Sequence, residues 1–142
     1  MRDIAKFIHG FKRFQDSYFC GGADEFERLR SGQNPRALVI GCSDSRVDPA
    51  ILMDCAPGDL FVVRNVANLV PPHESDSSHH GVSAALEYAV RVLRVEHVIV
   101  MGHSSCGGIQ ALMRQDCAQA GEYLPRWIAI GGRAREQVLG AL

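Results

Sequence analysis

The chain has 142 residues, 46% of them hydrophobic and 22% charged, which suits a single domain able to bury a core. Lys plus Arg number 15 and Asp plus Glu 16, and the net charge of -1 excludes the cationic face that a nucleic-acid or membrane-surface binder uses. Apolar runs of four or five residues exclude a hydrophobic membrane span, and five cysteines point away from a paired disulfide framework.

The charges within Met1–Ile4 stand where a signal peptide needs an apolar stretch, so the expected compartment is the cytoplasm, with thiols kept reduced. Ile4, Phe7, Ile8, Phe11, Phe14 and Tyr18 recur at helical spacing. They predict an amphipathic helix whose aromatic stripe packs on its own core or on a neighbouring subunit. A short second helix over Asp24–Arg30 ends at Ser31-Gly32, and the two make an N-terminal arm over about residues 1–31. Three apolar runs follow, Ala37–Ile40, Leu60–Val63 and His97–Met101, each read as a strand buried on both faces of a parallel sheet.

Between the second and third runs, Gly81–Leu93 carries Val82, Ala85, Leu86, Ala89, Val90 and Leu93 on one face and has the length of a crossover helix. Val70–Ser78, with Pro71-Pro72, reads as an exposed loop, and Gly107–Arg114 as a further helix. A last helix is expected from Pro125 to about residue 141, with Trp127, Ile130, Ala134 and Val138 turned inward. The class is α/β: one domain over residues 1–142, a mainly parallel sheet flanked by helices, with its chemistry in a core of about 33–114.

Open parallel sheets bind ligands beyond the carboxyl ends of their strands. After Ile40 comes Gly41-Cys42-Ser43-Asp44-Ser45-Arg46, and after Met101 comes Gly102-His103-Ser104-Ser105-Cys106-Gly107-Gly108. Two strand ends thus bring Cys42, His103 and Cys106 to one side of the sheet. Two thiolates and an imidazole suit Zn²⁺, and three protein ligands are the count of a catalytic site. A free-thiol or redox role and simple packing also fit these residues at this level. Cys20, Cys55 and Cys117 have no histidine partner and read as packing residues.

Beside Cys42, Asp44 can ligate a zinc or accept a hydrogen bond from its water, and Arg46 within reach favours the second role; a surface ion pair is the plain alternative. Gly102, Gly107 and Gly108 permit close backbone approach to a small bound group. No Lys follows in the pattern of a phosphate-binding loop.

Cys42-Ser43-Asp44-Ser45-Arg46, Arg64-Asn65-Val66-Ala67-Asn68 and Gly102-His103-Ser104-Ser105-Cys106-Gly107-Gly108 resemble the β-class carbonic anhydrases, from about Gln33 to Met113. The resemblance implies reversible hydration of carbon dioxide to bicarbonate and a proton by zinc-bound hydroxide, with one Zn²⁺ per chain. Cys42, His103 and Cys106 match the zinc ligands, and Asp44 and Arg46 the catalytic dyad, Asp44 joining the metal only in closed members. Gln33, Phe61 and Tyr88, with Val66 and Gly107 nearby, match the carbon dioxide pocket of the plant-like subgroup. The subgroup with a bicarbonate effector site carries tryptophan where this chain has Val39, whereas Arg64 occurs in both. An open site without a bicarbonate switch is therefore implied.

The resemblance also implies a homodimer or higher homo-oligomer with the N-terminal helix reaching across to the partner. It calls for at least four strands where this chain offers three, so the fold is expected to lack its C-terminal strand or strands. An impaired zinc-binding fragment is then the alternative function. A hydrolase of carbon disulfide or carbonyl sulfide is a further one, to which no pocket residue points.

Overall fold

The computed structural model describes residues 2–20, 24–74, 79–116 and 121–141. They fall into two compact units, Met1–Asn34 and Pro35–Leu142. In the first, α1 (Arg2–Phe19) and α2 (Asp24–Leu29) meet through aromatic rings, with Phe26 5.4 Å from Phe14, 5.2 Å from Tyr18 and 5.3 Å from Phe19. The pairs of Phe26 with Phe14 and Tyr18 are edge-to-face, an arrangement that adds to simple area burial. The earlier part of the stripe, Ile4, Phe7, Ile8 and Phe11, stays exposed.

The second unit is built on a three-stranded parallel sheet. Apolar on both faces, β1 (Ala37–Cys42) takes the centre between β2 (Leu60–Asn65) and β3 (His97–Met101). Leu38 lies opposite Phe61 and Val98, and Cys42 opposite Asn65. Every residue of β1 is buried. Leu38 and Ile40 pack with Ala89, and around them stand Phe61, Val63, Leu86 and Val95. The expectation of three doubly buried strands holds for β1 alone. Val98, Ile99 and Val100 of β3, an edge strand paired only with β1 among the described residues, are 48%, 37% and 53% exposed.

Helix α3 (Pro49–Leu52) begins with Pro in its first turn and Asp48 as N-cap, whose Oδ1 accepts from the amides of Ala50 at 3.1 Å and Ile51 at 3.3 Å. Helix α4 (Gly81–Glu87) widens into a π-helical turn over Tyr88–Leu93, closed by Arg94 in the left-handed region at φ 55°. The widening turns Val90 outward, against the expectation of one continuous inward face: it is 48% exposed while Ala89 is fully buried.

Helix α5 (Gly107–Arg114) leads to α6 (Tyr123–Ile128), a 3₁₀ turn over Ala129–Gly131 and α7 (Gly132–Gly140). The single helix expected from Pro125 is thus two, with Pro125 third in the first of them, where its missing N–H costs nothing. The tighter turn advances the phase, so Ala134 and Val138 face solvent while Ile128 is buried. At that turn a Cβ on Gly131 would lie 2.6 Å from Leu112 Cδ2. Val70 and Pro72–Glu74 are exposed, Pro71 partly so, and residues 75–78 of the expected loop lie outside the described residues. No described helix is long and apolar enough to cross a membrane.

Candidate metal centre

The end of β1 and the start of α5 bring three soft donors together. Cys42 Sγ and Cys106 Sγ are 3.8 Å apart, and with a His103 ring nitrogen they form one cluster within 4.8 Å. Both cysteines are buried and pack against Ala67, Val47 and Leu69. The His-x-x-Cys segment closes on itself through Ser105, held in the left-handed region at φ 54°. A second such residue, Ala67 at φ 67°, lies fully buried in a 3₁₀ turn over Val66–Asn68, a concentration of strain typical of functional sites. Asn65 pins that turn, its Nδ2 donating to Leu69 O and its Oδ1 accepting from Leu69 N, both at 2.9 Å.

The imidazole supplies the test of whether this cluster fits a metal. His103 Nδ1 lies 2.9 Å from the Ser104 carbonyl, an arrangement that makes Nδ1 the protonated nitrogen and leaves Nε2 with a free lone pair. Nε2 is buried and has no hydrogen-bond partner, a state shared only with Asn68 Oδ1 among the described residues. A buried acceptor left open beside two thiols is costly for a packing cluster and natural for a metal ligand.

Burial pushes the Cys42 thiol up, but the backbone amides of Asp44 and Ala67 and the neighbouring His103 and Cys106 outweigh it and bring it from 9.0 down to about 7. Zinc binds the thiolate. We therefore expect zinc affinity, titrated against a chelator, to change little from Cys42 above pH 7 and to fall up to ~10-fold per pH unit below it.

Asp44 lies outside the three-residue cluster. Its Oδ1 accepts from Arg46 Nε at 2.8 Å and from the Arg46 amide at 3.0 Å, and its Oδ2 accepts from Arg46 Nη2 at 2.7 Å. The Arg46 guanidinium holds the Asp44 carboxyl well below the usual carboxylate range. Arg46 Nη2 also donates to Ser105 O at 3.3 Å, joining the dyad to the second ligand loop.

The five pocket residues divide. Val66 sits against Gly108 at the mouth of α5, beside Gly107, and Trp127 Nε1 donates to Val66 O at 2.7 Å. Phe61 and Tyr88 pack on one another, ring centroids 5.8 Å apart. Phe61 pairs with Leu38, four residues before Cys42. That is roughly 13 Å along the strand at about 3.3 Å per residue. Within one chain, then, Phe61 and Tyr88 belong to the opposite end of the sheet from Val66 and Gly107. Gln33 is an exposed residue of the first unit.

Of the remaining thiols, Cys20 is exposed, against the packing expectation, Cys55 is half-buried and donates to Met53 O, and Cys117 lies outside the described residues. Sequence reasoning passed over Asp48, although Asp48-Pro49 is a helix-start signature that marks it as a cap.

Gly108 is where the cluster tolerates no side chain. A Cβ there would lie 2.8 Å from both Ala67 Cβ and Val66 Cγ1. Gly108→Ala is expected to destabilise the fold by about 1–3 kcal/mol in denaturant titration, since the pinned turn has little room to yield.

A parallel sheet that gathers two cysteines and a histidine at and beyond its strand ends defines an α/β protein with a donor set that could hold one zinc ion. The family model for carbonic anhydrase matches residues 37–141, and the chain belongs to the β-carbonic anhydrase family. It is 42% identical to β carbonic anhydrase 5, chloroplastic, of Arabidopsis thaliana over 127 residues, which cover 89% of this chain and 42% of that protein. The solved β-carbonic anhydrase CcaA superposes with a TM-score of 0.88 at 37% identity, over 97% of this chain and 66% of that one. A tetrameric β-carbonic anhydrase from Sordaria macrospora gives 0.70 at 34% identity, over 99% of this chain and 66% of that one. The chain spans about two fifths of the length of the curated relatives it matches.

Proposed function

We propose that this protein hydrates carbon dioxide reversibly to bicarbonate and a proton, with zinc held by Cys42, His103 and Cys106. The observation that carries the reading is the open, buried Nε2 of His103 beside two thiols, next to a carboxylate locked on a guanidinium. When bound, zinc lowers the pKa of a coordinated water to around 7 and so supplies a nucleophile near neutrality. Asp44, ionised by Arg46, offers only acceptors to a donor near the metal, which favours an open site of the plant-like kind with Asp44 off the metal. Arg46 fixes the orientation of that carboxylate through two nitrogens. Val66 and Gly107 supply the uncharged wall that a small apolar substrate needs.

The working form is a homo-oligomer. Phe61 and Tyr88 can complete the pocket of a second copy, and the exposed Ile4, Phe7, Ile8 and Phe11 of α1 give an apolar face for that partner. A reducing compartment, the cytoplasm in this reading, keeps both ligand thiols available. Stopped-flow carbon dioxide hydration with a pH indicator, run on a sample of measured zinc content, tests the proposal. Catalysis that tracks zinc supports it. One zinc per chain without catalysis would favour the alternative, a zinc-holding fragment, for which the uncovered apolar residues of β3 speak.

A further inference from the structure

A hydrogen-bonding side chain next to the metal centre that the proposed reaction leaves unused is Arg64, near the end of β2 and only 27% exposed. Its Nε donates to Cys42 O at 2.9 Å, its Nη2 to Asp44 O at 2.6 Å and its Nη1 to Asp48 Oδ2 at 3.0 Å. The other oxygen of Asp48 caps α3 through the amides of Ala50 and Ile51. Ser43 N donates to Asn65 O at 2.8 Å, continuing the β1–β2 ladder one residue past the strand. The segment that carries a metal ligand and the dyad acid is thus tied to β2 at Cys42, Ser43 and Asp44 in succession.

A planar guanidinium that donates to two carbonyls at once sets the distance and tilt between their peptide planes. Those planes bracket Ser43 and Asp44, so they determine where the Asp44 side chain leaves the backbone. Arg46 fixes the Asp44 carboxylate itself but is 60% exposed and anchors no backbone on β2, so the peptide planes that carry Asp44 depend on Arg64. We infer that Arg64 is a positioning residue that locks the Cys42–Asp44 backbone and keeps the Asp44 carboxylate on Arg46, away from the metal ligands. Asp48 is the anchor that holds Arg64 in the plane of both carbonyls. The inference deepens the carbonic anhydrase reading, which gives Asp44 its importance, yet its spectral test does not depend on catalysis.

The test uses the full chain loaded with cobalt(II), whose visible absorption reports the ligand set, as wild type, Arg64→Gln, Asp44→Asn and the double variant. Arg64→Gln is expected to shift the cobalt bands when Asp44 is present and to leave them unmoved in the Asp44→Asn background. In the zinc-loaded form it should lower turnover by about 10- to 100-fold, as loss of an orienting partner does. Arg64→Lys, which keeps the charge but not the fork, should shift the bands in the same direction by a smaller amount and carries the test if Arg64→Gln does not fold. Unchanged bands, or the same shift in both backgrounds, overturns the inference, because general loosening needs no carboxylate. If the wild-type zinc protein fails to hydrate carbon dioxide while the cobalt pattern appears, the proposed function falls and the role of Arg64 stands.

Discussion

Cys42→Ser is expected to yield a chain that no longer retains zinc through dialysis and has no carbon dioxide hydration above background. The reason lies in the cluster itself. Cys42 and Cys106 sulfurs are 3.8 Å apart with the His103 nitrogen in the same group, so no other described cysteine, histidine or carboxylate joins them to replace the lost thiolate. A serine hydroxyl in a buried, largely apolar setting ionises poorly, and zinc prefers thiolate and imidazole there. The loss in affinity should exceed the roughly 10- to 100-fold that removal of an orienting partner costs. Metal analysis after dialysis, run beside the wild type, is the measurement, and a retained stoichiometric zinc would remove Cys42 from the ligand set. Because Cys42 is also buried against Ala67 and Val47, a thermal melt of the metal-free proteins separates metal loss from unfolding.

Asp44→Asn should give the opposite division: zinc retained, turnover reduced by about 100-fold or more. Asparagine keeps the size of aspartate, and the residue stands outside the ligand cluster, so the metal loses no donor. What changes is chemical. The carboxylate offers two acceptor oxygens, both engaged by Arg46, whereas the amide replaces one with a donor that faces the same guanidinium. One of the two Arg46 side-chain contacts breaks, and the charged acceptor near the metal becomes a single neutral amide oxygen. Full activity in this variant, at matched zinc content, would falsify the role assigned to Asp44. Loss of zinc instead would move Asp44 into the ligand set.

The extent to which this site was legible depends on how local its signals are. His103-x-x-Cys106 and Cys42-x-Asp44-x-Arg46 are each short segments at the end of an apolar run, so their placement points to a shared strand-end site. Asp44 and Arg46 are two residues apart, and their bidentate contact follows from that closeness. The clamp by Arg64 was not legible, since it joins residues 16 to 22 positions apart whose meeting depends on the β1–β2 register. The division of the pocket residues was hidden for the same reason: a pattern matched position by position carries no register, and only the pairing of Phe61 with Leu38 shows which end of the sheet it occupies.

By itself, then, the sequence determined the order of the three strands, the crossover helix between the second and third, and the donor types, because apolar runs, periodicity and short motifs are set by near neighbours along the chain. The tertiary structure decided which strand is central, which side chains of α4 and α7 face inward, and which nitrogen of His103 is left open. It was also what tied the Cys42–Asp44 segment to β2. Strand order and the tie to β2 turn on long-range contact, whereas a π or 3₁₀ turn and the His103–Ser104 contact are local geometry that residue types and their periodicity do not encode.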